Sequence, residues 1–74
     1  MPDYKQAGSE EVTKAQKLIA EANADPDKDT AKQKLHEAIK LLDRCINGAY
    51  IAGQVKDKAR GQKEIASNKL KSLG

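Results

Sequence analysis

Cys45 and His36 are the one thiol and the one imidazole in this 74-residue chain, and nucleophilic catalysis needs such a pair within hydrogen-bond reach. Nine positions apart on one predicted helix, they stand about 13 Å apart at 1.5 Å of rise per residue. A single chain therefore offers no Cys/His couple. Cys45 reads as a small buried hydrophobe and His36 as a solvated helix residue. A structural zinc site needs four Cys or His ligands, which one chain does not supply. Asp25, Asp27 and Asp29 stand where the first, third and fifth residues of a calcium loop would be. The sixth position is Thr30 instead of Gly, however, and the twelfth is His36 instead of Glu. The aspartates are better used as helix caps. Gly48 and Gly53 follow a helix and lack the Gly-Lys-Ser/Thr of a phosphate loop. These residues predict no enzyme, no catalytic, cofactor or metal residue, and no small-molecule substrate.

Three amphipathic stretches must position whatever remains. Residues 1–8 carry no apolar periodicity and read as a flexible tail, followed by Ser9 as a helix cap. Val12, Ala15, Ile19 and Ala22 then recur at helical spacing, with Leu18 beside them, so a first helix is predicted over about 10–24. Pro26 pushes Asp25 out of helical geometry and ends it. The second stripe is Ala31, Leu35, Ala38, Leu42, Cys45 and Ala49, broadened by Ile39, Leu41 and Ile46, which predicts a helix over 28–47. Val55, Ala59, Ala66, Leu70 and Leu73, with Ile65, define a third over 54–72, reached by a turn between 47 and 54. Strand-forming alternation is nearly missing. The expected fold is all-α, a single three-helix bundle over 9–74.

The core available to this bundle is thin. Of 28 apolar residues, 11 are Ala and 13 are Leu, Ile or Val, with no Phe or Trp. Each large aliphatic contributes about 1.5 to 3 kcal/mol when buried, against roughly 1.5 kcal/mol of ordering entropy per residue. Stability is expected to be marginal or shared with a partner. No signal-like leader or long apolar run is present, and one cysteine forms no internal disulfide, so a reducing, cytoplasmic setting without membrane insertion is expected.

Charge is uneven along the chain. Residues 1–37 carry 6 Lys against 8 acids, whereas residues 38–74 carry 8 basic groups against 3 acids. Lys56, Lys58, Arg60, Lys63, Lys69 and Lys71 concentrate on the third helix, where Lys56, Arg60 and Lys63 share one side. They either solvate that helix or contact phosphate. With no aromatic interleaved for base stacking, phosphate contact would favour folded RNA over a single strand.

The order Asp27-Lys28, Ala31, Leu35, Ala38, then Lys40-Leu41-Leu42-Asp43-Arg44, a glycine-containing turn, and Lys56-Asp57-Lys58-Ala59-Arg60 ahead of Lys63, Ile65-Ala66, Leu70 and Leu73 resembles small-subunit ribosomal protein twenty of bacteria. The resemblance spans residues 27–73, and Leu42-Asp43-Arg44 is its most specific part. It implies a three-helix bundle that binds small-subunit rRNA through a basic stretch opening its last helix, here Lys56, Lys58, Arg60 and Lys63. The family's long basic first helix has no counterpart in residues 9–24.

The leading expectation from the residues is a non-enzymatic module that binds another protein, or a second copy of itself, through a helix surface. Leu41, Ile46, Tyr50 and Ile51 form its candidate contact, because the second helix holds more large side chains than one inward stripe uses. Equally, Tyr50 and Ile51 could serve only to close the end of the bundle. The alternative is an RNA-binding protein of ribosomal type, with the six cations of the third helix as its contacts.

Overall fold

The computed structural model describes residues 8–49 and 51–73. They form three helices, α1 (Ser9–Ala24), α2 (Lys28–Asn47) and α3 (Gly53–Leu73). The all-α bundle expected from the periodicity is what forms, and the links of three and five residues make consecutive helices antiparallel neighbours. Of the expected tail, residues 1–7 lie outside the described part, as does Tyr50. No helix among the described residues is long and apolar enough to cross a membrane.

α1 starts one residue earlier than expected, and Ser9 is not its cap. Gly8 holds that place with φ of +84°, a left-handed conformation that costs glycine little. Its carbonyl accepts the Val12 N–H at 3.0 Å. Glu10 and Glu11 occupy the first turn, where their charge favours the positive helix end. α2 has the side-chain cap: Asp27 Oδ1 accepts the Asp29 N–H at 3.0 Å, and Thr30 donates its hydroxyl to Asp27 Oδ2 at 3.0 Å. α3 has a simpler start, with the Ala52 carbonyl accepting the Val55 and Lys56 N–H groups, both at 3.0 Å.

The end of α2 shows why glycine stands at position 48. Gly48 caps the helix in an extended conformation, φ −69°, so no left-handed geometry demands it. Space does. A Cβ there would lie 2.9 Å from Ile51 Cγ1, and one on Gly8 would lie 3.0 Å from Ile51 Cδ1. Ile51 thus fills the gap between two glycines and closes this end of the bundle. Ala49 falls in the turn and is exposed, which removes it from the expected α2 stripe.

Packing is centred on α2. Ala31, Leu35, Ala38, Leu42 and Cys45 are all buried, at the alternating four and three spacing of a helix seam. α1 contributes Val12, Ala15, Ile19 and Ala22, and α3 contributes Val55, Ala59 and Ala66. α2 packs extensively on both, while α1 and α3 touch each other much less. Alanine makes up half of this core, letting the helices approach closely while Leu35 and Leu42 supply the bulk. The result is an elongated body of 42 × 19 × 13 Å. Ile65 departs from the expected third stripe and is 51 % exposed, because the buried face of α3 is narrow and Ile65 lies beyond its edge.

Leu35 is fully buried midway along the one helix that holds the other two. Leu35→Ala is expected to lower the free energy of unfolding by about 2 to 5 kcal/mol. For a domain of this size that is a large share of the total. Urea unfolding followed by circular dichroism measures the change, and a loss under about 1 kcal/mol would show that the seam is not tightly packed.

Candidate functional site

The sulfur and imidazole do not come together. Cys45 is buried near the end of α2, where its Sγ donates to the Gly8 carbonyl at 3.1 Å. Burial raises its thiol pKa above the ordinary value, with the Glu11 charge adding to the effect. His36 is exposed on the same helix. The aspartates of the first link are turned onto backbone amides. Asp25 Oδ1 accepts the Asp27 N–H at 2.9 Å, and the Asp27 carboxylate caps α2. Asp25 Oδ2 also meets Lys34 Nζ at 3.3 Å. Among the described residues no cluster of His, Cys, Asp or Glu is arranged to hold a metal ion.

The candidate protein contacts lie in different settings. Leu41, Ile46 and Ile51 are half-buried and pack against the core, so most of the apolar excess expected on α2 is used internally. Ile51 closes the bundle end as described. Tyr50 lies outside the described residues. Ile46 is the member that also lines an open surface.

That surface is a shallow groove of about 510 Å³ between α2 and α3. Ile46 comes from α2, and Arg60, Lys63, Glu64, Ser67 and Lys71 come from α3. The α3 residues recur at helical spacing, so one face of that helix forms a wall. Lys63 Nζ is 2.6 Å from Asp43 Oδ1, a bond that ties α3 to α2 at the groove's edge. Arg60 lies 3.7 Å from Asp57, with both side chains mostly exposed.

The six cations proposed from the sequence do not make one patch. Arg60, Lys63 and Lys71 line this groove, whereas Lys58 lines a separate crevice of about 120 Å³ between α1 and α3, beside Val12 and Gln16. Lys58, Arg60 and Lys71 are exposed, while Lys56, Lys63 and Lys69 are partly covered. Sequence reasoning passed over Glu64, Ser67 and Asp43. The register of positions 60, 64, 67 and 71 marks the first two as neighbours of Arg60 and Lys71, but the Asp43 bond is visible only once α2 and α3 are packed. With this geometry in place, comparison is uninformative: no known protein family, curated protein or solved structure matches the chain.

Asp25 has the clearest pH signature. The Asp27 N–H is the main influence holding its pKa below the ordinary 3.8; burial opposes it, and the Lys34 ammonium adds to the lowering. The unfolded chain therefore binds this proton first as pH falls, so the stabilisation is complete above 3.8 and is lost as pH drops through the lower folded-state value. Asp25→Asn is expected to be less stable than the parent at neutral pH, with the difference shrinking in acid. Urea midpoints across that range measure it, and a difference independent of pH would contradict the assignment.

Proposed function

We propose that this chain is a small non-enzymatic binding module that captures a helix of another protein along the α2/α3 groove. The observation that carries the reading is the groove itself, an open channel running beside α3 with a half-buried aliphatic side chain, Ile46, on its wall. Helices pack by setting the ridges of one into the furrow of another, at interaxial distances of about 8 to 10 Å. A furrow between two antiparallel helices is the seat such a partner fits, and it offers a thin-cored bundle additional buried surface. Ser67 is short enough to let a partner backbone approach. The buried free thiol of Cys45 supports a reducing, cytoplasmic workplace.

A second reading has its own support in the exposed cations Lys58, Arg60 and Lys71. They fit an RNA-binding protein of the ribosomal type that residues 27–73 resemble. Its weakness is placement, because Lys58 and the groove cations sit on different sides of α3.

A displayed library of helical peptides of about 18 residues, enough to run some 27 Å, tests the first reading. Peptides enriched on the parent chain should lose binding to Ser67→Trp, which fills the groove while leaving helix content unchanged. Their affinity should vary little between about 50 and 200 mM salt compared with phosphate binding. Enrichment of no peptide would overturn helix capture. A structured RNA hairpin that binds with a steep salt dependence, and is released by Lys56→Glu with Arg60→Glu, would establish the second reading in its place.

A further inference from the structure

The three cations of the α2/α3 groove are not equivalent. Lys63 is matched to Asp43 at 2.6 Å, so its charge is already met across the helix pair. Among the described residues Arg60 has only the long, exposed contact to Asp57 at 3.7 Å, an arrangement worth little in water. Lys71 is exposed in the last turn of α3. The groove therefore presents two cations open to an incoming group, at positions 60 and 71. Eleven residues are three turns and about 20°, so both face the same way, about 16.5 Å apart along the axis. Between them, Glu64 repels an acid and Ser67 leaves room.

Ile46 of α2 lines the same groove. Along α3 the order is a cation at 60, the Asp43-bound Lys63, an anion at 64, polar side chains at 67 and 68, and a second cation at 71.

We propose that the groove selects a partner α-helix with carboxylates eleven residues apart, a large aliphatic side chain close to that face to meet Ile46, and no acid opposite Glu64. Charge complementarity makes the partner acidic at two points instead of uniformly so. The spacing makes it helical, because positions eleven apart on a helix share a face. An extended segment would cover the same distance in about five residues, an odd number that turns its two end side chains to opposite faces. The proposal rests on the groove being a helix seat and adds the rule by which that seat discriminates.

The experiment selects the same displayed peptides on the parent chain and on Arg60→Glu/Lys71→Glu, with circular dichroism verifying that both chains are folded. Should the double reversal unfold the chain, Arg60→Gln/Lys71→Gln removes the charges without reversing them. The parent is expected to enrich Asp or Glu pairs at the eleven-residue spacing with an aliphatic residue close to the same face. Those peptides should bind the reversed chain roughly tenfold or more weakly, and the reversed chain should enrich Lys or Arg at the same two places. Groove-dependent peptides without the acidic pair, or with another spacing, would overturn the rule while leaving helix capture standing. Absence of any enriched peptide would overturn both.

Discussion

Close contact along a single face of α2 is the constraint on which everything else depends. α1 and α3 each bury their apolar residues against that helix and touch each other little. Ala31 and Ala38 let neighbouring helices approach, while Leu35 and Leu42 fill the space between them. Such a seam tolerates neither a missing methyl group nor an added one, because close-packed interiors have little slack to absorb a change in volume. The same arrangement sets where the surface stays open. With α1 and α3 on the flanks of α2, the open channel runs along the outer side of the α2/α3 pair, where Ile46 is still partly uncovered.

Most of the fold was legible from spacing. The seams of α1 and α2 appear in the chain as apolar residues three and four apart, and the structure buries those residues, apart from Ala49. A cap on α2 was legible in Asp27 or Asp29, because a carboxylate before a helix has free N–H groups to meet, and the structure uses Asp27. What escaped was set by neighbours distant in sequence. Gly8 displaced Ser9 as the N-cap of α1, a choice that depends on the backbone passing over Cys45 and Ile51. Gly48 reads as a helix terminator, yet its lack of a side chain serves Ile51. Ile65 matched the helical pattern but fell outside the narrow contact made by α3.

The candidate surface was legible in part. The basic character of the third helix is plain in the sequence, but its division between two sides of the helix emerges only from packing. Asp43 illustrates the limit. In the chain it is one acid in a basic half, whereas in the fold it engages Lys63 and leaves Arg60 and Lys71 outside that pair. A count of charges could not reveal that. Burial of Cys45 and the turning of Asp25 and Asp27 onto amides give these side chains structural work.

The account's central claim is that α2 is the element both other helices need, and amide hydrogen exchange in the native state measures this most directly. Amides in the middle of α2, around Leu35 to Leu42, should exchange only through global unfolding, while those of α1 and α3 open at lower free energy by detaching from it singly. Exchange that is slowest in α1 or α3, or an α2 that opens before its neighbours, would contradict the account.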